Sequence, residues 1–203
     1  MITLYHAPQS HSSRMIWLLE EVGAPYTIRP VSIFRPLAGT GEADPANPHP
    51  SKQVPALDHD GALVAESVAI ALYLAEAFPA AHLAPAVGDP KRGEYLTWMA
   101  WYAAALEPAV FAKFMGELEG SPMKQRLYDG AVRRIEDALA KGPFMMGEAF
   151  TVVDVLVGSA LGWARQAFPE SAVLDAYAER CKARPAAVRA AGLDDAEGLQ
   201  RAA

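Results

Sequence analysis

A proline at the start of a short apolar segment constrains the N-terminal part of this chain more than any other feature. The segment is Gln53-Val54-Pro55-Ala56-Leu57, and the pair Asp60-Gly61 follows it. Asp-Gly favours the tight turn of a β-hairpin, and a proline, which lacks an amide hydrogen, suits a strand edge or a cis turn. Glu66-Ser67 then precedes an apolar segment. We therefore predict a hairpin followed by a helix from Ser67 to about Phe78.

The first 31 residues predict a parallel strand–helix–strand unit. Ile2 to Tyr5 begins a strand, and Arg14 to Val22 has the apolar spacing of one helical face. Gly23 is expected to end that helix, since glycine is favoured just past a helix C-terminus. Tyr26 to Val31 predicts the second strand, and such a unit should cross over in the right-handed sense.

The chain is predicted to consist of two domains. Residues 1–78 form the α/β domain, the proline-containing segment 79–90 is a linker, and 91–203 form an all-helical domain in which Pro108 kinks or divides a helix. Later helices are expected near 122–141, 152–167, 171–183 and 185–191. Thr151 and Asp154 predict a capping box at the start of the second of these, with Phe150 and Val155 as its hydrophobic staple.

Composition excludes several classes of function. The net charge of −6 argues against a nucleic-acid partner. The single cysteine, Cys181, excludes an intrachain disulfide, a cysteine-based zinc cluster and a Cys-x-x-Cys oxidoreductase, and we expect it to be a packing residue. We find no metal-ligand pattern, no signal peptide, and no apolar run of the roughly 18 residues that a membrane span needs. We expect a soluble cytoplasmic protein.

Two segments could bind the backbone and charged ends of a small peptide. If Pro55 is cis, the N–H and C=O of Val54 are offered to an extended ligand, although a loop proline without any role is the alternative. Ser67 is a good N-cap, and its helix N-terminus could hold a carboxylate while Glu66 pairs with an ammonium group. Simple capping beside an exposed acid explains the second pair equally well.

The loop from Ala7 to Arg14 could supply chemistry. A serine hydroxyl there could donate to a thiolate, assisted by the dipole of the following helix. Moving a thiol from about pKa 8.5 to about 6.5 requires roughly 2.7 kcal/mol. Ser12 or Ser13 could instead be only the N-cap of that helix. A Ser-His-Asp hydrolase is disfavoured, because no Gly-x-Ser-x-Gly motif is present and Ser10 and His11 are adjacent.

These elements together resemble the cytosolic glutathione transferases over essentially the full chain. The matching residues are Leu4-Tyr5, the loop from Ser10 to Arg14, Asn47-Pro48, the segment from Gln53 to Leu57, Glu66-Ser67 and the Thr151 to Asp154 capping box. The resemblance implies a thioredoxin-like α/β N-terminal domain, an all-α C-terminal domain, a homodimer, and glutathione as co-substrate.

The resemblance also implies roles for individual residues. Val54 before a cis Pro55 would pair with the cysteinyl part of glutathione, Ser67 would take the γ-glutamyl carboxylate, and Glu66 would lie near the amino group. The glycyl end would be contacted by His49, Lys52 or Gln53. Ser10 matches the activating serine of the serine-type classes, Ser12 is a second candidate, and Tyr5, within the first strand, is more readily structural.

The loop departs from two known patterns of this family. It has neither the cysteine of the bacterial beta class nor the Ser-Ser-Cys of the zeta-type isomerases. The second-substrate pocket is expected between this loop and the first helices of the second domain, with candidate lining residues that could equally be core: Tyr102, Phe111, Phe114 and Met115.

The leading hypothesis is an enzyme of detoxification that conjugates the glutathione thiolate to small hydrophobic electrophiles. A glutathione-dependent isomerase, dehalogenase or peroxidase, and a non-catalytic ligand-binding protein, are the alternatives.

Overall fold

The computed structural model describes residues 1–194 of the chain. Internal contacts divide it into two compact units, one formed by Met1–Ala81 together with residues 185–194, and the other by His82–Arg184. The prediction of a helical domain over 91–203 did not anticipate that the chain returns to the first unit at Pro185. Within the described residues, no helix is long and apolar enough to cross a membrane.

A four-stranded mixed sheet forms the centre of the first unit. Its strands are β1 (Ile2–His6), β2 (Tyr26–Pro30), β3 (Ala56–His59) and β4 (Ala62–Ala65), in the order β2-β1-β3-β4. β1 is parallel to β2 and antiparallel to β3, and β3 is antiparallel to β4. This sheet agrees with the thioredoxin-like α/β domain expected for the N-terminal part.

The hairpin turn has the conformation that its sequence predicts. Asp60 and Gly61 both have positive φ, at 52° and 89°. Positive φ at both central residues is the requirement of the type I′ turn, whose twist matches that of the flanking strands. The turn therefore fixes the register in which Ala56 pairs with Ala65 and His59 pairs with Ala62.

Eight α-helices lie in the described part of the chain. In chain order they are α1 (Ser13–Val22), α2 (Ser67–Ala77), α3 (Arg92–Trp101), α4 (Glu107–Phe114), α5 (Pro122–Leu139), α6 (Val152–Trp163), α7 (Ala172–Lys182) and α8 (Pro185–Ala191).

Helix α1 ends at the predicted glycine. Gly23 adopts the left-handed conformation, with φ of 72°, and its N–H donates to Leu19 O at 3.0 Å. Near the same end, Arg189 of α8 donates from Nε to Glu20 Oε2 at 2.6 Å. This contact ties α8 and the residues after it to the first unit.

Proline divides the first long helix of the second unit, as predicted. α3 passes into a π-helical segment, Tyr102–Leu106, and α4 then begins with Pro108 in its first turn. The π-helical segment lies directly before Pro108, where the missing amide hydrogen and the proline ring interrupt regular α-helical hydrogen bonding. The later predicted helices are also present, although three are shorter than expected. The helix predicted over 152–167 ends at Trp163, that over 122–141 ends at Leu139, and that over 171–183 is Ala172–Lys182.

A buried carboxylate fixes the start of α6. Asp154 Oδ2 accepts a hydrogen bond from Thr151 N at 2.9 Å, and Thr151 Oγ1 accepts one from Val153 N at 3.3 Å. Asp154 Oδ1 also accepts from Met145 N at 2.8 Å and from the Tyr177 hydroxyl at 3.0 Å. The predicted capping box is confirmed, and its aspartate additionally joins α7 to the loop before α6.

Candidate functional site

The strand register brings three of the predicted site segments to one end of the sheet. Tyr5 of β1 pairs with Ala56 of β3, and Ala56 pairs with Ala65 of β4. The loop that follows β1, the residues that precede Ala56, and the residues that follow Ala65 therefore all leave the sheet at the same end. Sequence distance alone could not show this convergence, because it depends on which strands pair.

The loop after β1 holds two neighbouring serine hydroxyls with different exposure. Ser12 is fully buried, whereas Ser10 is partly exposed. Ser12 Oγ lies 2.8 Å from His6 Nδ1 and accepts a hydrogen bond from Ala7 N at 3.2 Å. Ser12 also occupies the N-cap position of α1, but its side chain makes no capping hydrogen bond. Its hydroxyl is thus committed to the protein interior.

Ser10 lies on the outer side of this pair. Its Oγ is 2.7 Å from Ser12 Oγ, donates to Ala7 O at 2.7 Å and accepts from Ser12 N at 3.2 Å. The Ser10 N–H donates to Ser13 Oγ at 3.2 Å. These contacts hold the Ser10 hydroxyl next to the N-terminus of α1, where the helix dipole favours negative charge.

Tyr5 is part of the sheet. Its ring packs against the buried side chains of Ala7, Val31, Ile33 and Val54, and the Arg29 guanidinium lies 5.5 Å from its centroid. This agrees with the structural role expected for it.

The backbone groups of Val54, just before β3, have no hydrogen-bond partner in the described part of the chain. The Val54–Pro55 peptide is cis, as the resemblance implied. Within residues 1–194, neither the N–H nor the C=O of Val54 takes part in a hydrogen bond. Buried main-chain groups are nearly always paired, so this donor and acceptor are available to a ligand.

A buried asparagine holds this segment in place. Asn47 Nδ2 donates to Gln53 O at 2.9 Å, and Asn47 Oδ1 accepts from His49 N at 3.0 Å. The side chain thus spans the loop that leads to Val54. From the sequence, Asn47 is only one of the residues that match the family. Its role in positioning the loop becomes visible in the structure, where the side chain is fully buried.

The three residues expected at the glycyl end differ in availability. His49 is buried, and its Nδ1 accepts from Ser51 N at 3.1 Å. Lys52 Nζ donates to Asn47 O at 2.7 Å and to Pro45 O at 3.2 Å. Gln53 is partly exposed, and its side-chain amide makes no hydrogen bond within the described chain.

The start of α2 differs from the prediction in one respect. Glu66, not Ser67, occupies the N-cap position, with φ of 73° and no side-chain capping bond, and Ser67 is the first helical residue. The prediction of Ser67 as N-cap is wrong, because the strained backbone at Glu66 makes the turn into the helix one residue earlier. Ser67 nevertheless lies at the helix N-terminus, and the exposed Glu66 carboxylate has no partner among residues 1–194.

The four candidate lining residues of the second unit are divided between core and surface. Tyr102 is fully buried and donates from its hydroxyl to Glu107 Oε1 at 2.9 Å. Phe111, Phe114 and Met115 are 44%, 37% and 46% exposed. The Phe114 ring stacks on the Trp163 ring, with centroids 5.2 Å apart. The exposed apolar surface of α4 therefore continues onto Trp163 at the end of α6, a residue that was not among the predicted lining residues.

Both halves of the chain match models of one protein family. Residues 4–82 match the model described as glutathione S-transferase, N-terminal domain, and residues 99–186 match glutathione S-transferase, C-terminal domain. The chain is similar to glutathione S-transferase GstA of Escherichia coli O157:H7, with 27% identity over 164 residues that cover 79% of this chain and 81% of the relative.

Two solved structures are similar in fold and sequence. A glutathione transferase from Methylococcus capsulatus superposes with a TM-score of 0.78 and 27% identity, covering 96% of this chain and 98% of its own. A sphingomonad glutathione S-transferase complexed with glutathione gives a TM-score of 0.75 and 27% identity, covering 95% and 98%. The chain belongs to the glutathione transferase family of enzymes, whose co-substrate is glutathione.

Proposed function

We propose that this protein binds glutathione at the end of the sheet where the β1 loop, Val54 and Ser67 converge, and conjugates its thiolate to small hydrophobic electrophiles. The observation that carries the proposal is the strand register, which aligns Tyr5, Ala56 and Ala65. That register gathers an unpaired backbone, a helix N-terminus and a partly exposed hydroxyl.

Each proposed binding group has the hydrogen-bonding capacity or charge that one part of glutathione requires. The N–H and C=O of Val54 would pair with the cysteinyl backbone by strand addition. The N-terminus of α2, with the Ser67 hydroxyl, would hold the γ-glutamyl carboxylate, and the exposed Glu66 would attract the ammonium group. Gln53 is the preferred partner of the glycyl end, because His49 and Lys52 are engaged within their own loop.

Ser10 is the preferred contact for sulfur. Its hydroxyl is partly exposed and lies at the N-terminus of α1, whereas the Ser12 hydroxyl is buried. A hydrogen bond from Ser10 together with the helix dipole would favour the thiolate over the thiol, whose proton leaves to water. The thiolate would then form a C–S bond with the electrophilic carbon. Halide leaves from an aryl halide, whereas in an activated alkene the π electrons move to the neighbouring carbon, which takes a proton from water. Catalysis would come from thiolate stabilisation and positioning.

The exposed side chains of Phe111, Phe114 and Met115 support a hydrophobic second substrate. They offer apolar surface on and after α4, as a site for small apolar molecules requires. Tyr102, which is fully buried, does not belong to this exposed surface. A second copy of the chain is the expected partner, as the family resemblance implies.

Calorimetry with glutathione, followed by turnover measurements over a panel of electrophiles, tests the proposal. We expect saturable binding, and conjugation of aryl halides or activated alkenes. Glu66→Gln should weaken glutathione binding about tenfold, the effect of about 1.4 kcal/mol, whereas the exposed control Glu119→Gln should not. Absence of binding would exclude every glutathione-dependent function. Binding without turnover across the panel would instead favour a ligand carrier.

A further inference from the structure

A buried histidine lies directly behind the serine pair. His6, the last residue of β1, is fully buried, and its Nδ1 lies 2.8 Å from Ser12 Oγ. On the other side of the ring, Nε2 lies 3.3 Å from Asp194 Oδ1. Ser12 Oγ in turn lies 2.7 Å from Ser10 Oγ. Asp194, His6, Ser12 and Ser10 therefore form one continuous chain of polar groups that ends at the proposed sulfur contact.

Asp194 lies against the imidazole ring without a directed hydrogen bond to it. His6 Nε2 and Asp194 Oδ1 are within ion-pair distance, yet the buried Nε2 atom takes part in no hydrogen bond within the described chain. A buried nitrogen without a hydrogen-bond partner is costly, and the Asp194 carboxylate is the polar group that the structure places against it. Asp194 is itself held by Ser13, whose Oγ donates to Asp194 Oδ1 at 2.6 Å.

The protonation state of His6 determines which way the serine hydrogens point. If Nδ1 carries a hydrogen, it donates to Ser12, which must then donate its single hydrogen onward, to Ser10 Oγ at 2.7 Å or to Ala7 O at 3.3 Å. The shorter distance favours Ser10. With Ser10 Oγ accepting from Ser12, its own hydrogen is left for Ala7 O or for an outside acceptor.

When His6 Nδ1 carries no hydrogen, the hydroxyls of Ser12 and Ser10 both donate toward the protein interior. If Nδ1 lacks a hydrogen, Ser12 donates to it, and Ser12 Oγ becomes an acceptor that draws the hydrogen of Ser10 away from the ligand. A thiolate can only accept hydrogen bonds. A hydrogen on His6 Nδ1 thus gives the arrangement in which the chain of donors runs outward to a thiolate.

We propose that His6, held by Asp194, is a positioning residue that acts through Ser12 to direct the Ser10 hydroxyl toward the thiolate of bound glutathione. The proposal rests on the function proposed above. Serine, histidine and aspartate also make up hydrolase triads, but here the serine next to the histidine is fully buried and cannot reach a substrate.

Three variants test this role through the ionisation of bound glutathione. His6→Leu removes both ring nitrogens, and Asp194→Asn removes the charge while keeping an acceptor for Ser13. Both should reduce the thiolate fraction of bound glutathione, read from its ultraviolet difference absorbance. Both should lower kcat about tenfold at saturating glutathione, with little change in the KM for glutathione. His6→Asn, whose amide can donate to Ser12 from near the position of Nδ1, should restore most of the loss.

Asp137→Asn is the matched control, because it makes the same Asp-to-Asn change at an exposed carboxylate of α5, in the other unit. It should keep the thiolate signal and kcat of the wild type, and thermal melting of every variant shows whether it folds. If His6→Leu does not fold, Asp194→Asn decides. A folded variant with an unchanged thiolate signal, or one that changes only KM, would overturn the role of His6 alone. A wild-type protein that binds no glutathione would overturn the proposed function as well.

Discussion

The Ser10 and Ser12 hydroxyl oxygens lie 2.7 Å apart, yet the first is partly exposed and the second is fully buried. Ser12 accepts from Ala7 N and contacts His6 Nδ1, whereas Ser10 forms the outer end of the pair. Because the two residues differ in surroundings, we expect their loss to have different consequences.

Ser10→Ala should reduce activity without unfolding the protein. The variant removes the proposed donor to sulfur, and we expect kcat to fall about tenfold or more, corresponding to about 1.4 kcal/mol. Ser12→Ala should interrupt the link from His6 to Ser10 and, in addition, lower the free energy of unfolding by about 1–3 kcal/mol, because it leaves His6 Nδ1 and Ala7 N without their partner in the interior. Steady-state kinetics and urea denaturation of both variants measure the two effects. Equal loss of stability in both would contradict this assignment.

Much of the first unit could be predicted from local signals. Gly23 ends α1 and Asp60-Gly61 forms the turn, because these residues decide backbone conformation within a few positions of themselves. The apolar spacing of α1 was equally local. The predicted N-cap at Ser67 failed because serine's preference for that position was overridden by the positive φ of Glu66.

The polar chain behind Ser10 could not be predicted in the same way. Ser13 and Asp194 are separated by 181 positions, and they meet only because the last described segment packs back on the first unit. Asn47 posed a similar difficulty, since its hydrogen bonds depend on the folded course of the loop that it spans. Side-chain networks across distant segments carry no periodic signal in the sequence.

Two glycines of the second unit should respond in opposite directions to alanine. Gly130 lies within α5 at an exposed position, and an added Cβ would meet nothing within 4 Å. Gly130→Ala should therefore stabilise the protein by about 0.5–1 kcal/mol through helix propensity. At Gly142 the Cβ would lie 2.6 Å from the backbone carbon of Gly147, so Gly142→Ala should destabilise it. Denaturant midpoints compare the two, and destabilisation by both would show that Gly130 has an unrecognised packing role.

The lone cysteine should be inert in the folded protein. Cys181 is buried, and burial together with the neighbouring Asp154 charge raises the pKa of its thiol to about 12. Since the thiolate is the reactive form, a disulfide reagent should modify native protein far more slowly than protein unfolded in denaturant. The chain has one cysteine, so the absorbance change reports this residue alone. Rapid modification of the native protein would contradict its place in the core.

Asp154 should make the stability of the protein depend on pH in an unusual direction. Burial raises the pKa of this carboxyl from 3.8 to about 6, although hydrogen bonds from Met145, Thr151 and Tyr177 oppose the rise. The folded state therefore holds a proton that the unfolded state releases between about pH 4 and pH 6. The stabilisation from this proton is full below about pH 4 and is lost as the pH rises through about 6.

Asp154→Asn isolates this contribution, because the amide cannot ionise but keeps an acceptor oxygen. The variant should be less stable than the wild type at about pH 4, since it loses part of the capping network and the wild type there keeps the full stabilisation from the bound proton. The stability difference should shrink by up to about 3 kcal/mol as the pH rises from about 4 to about 6, the linkage value of a shift of this size. Urea denaturation of both proteins at several pH values measures it. A difference that grows with pH would mean that the hydrogen bonds outweigh burial and hold the pKa of Asp154 below its ordinary value.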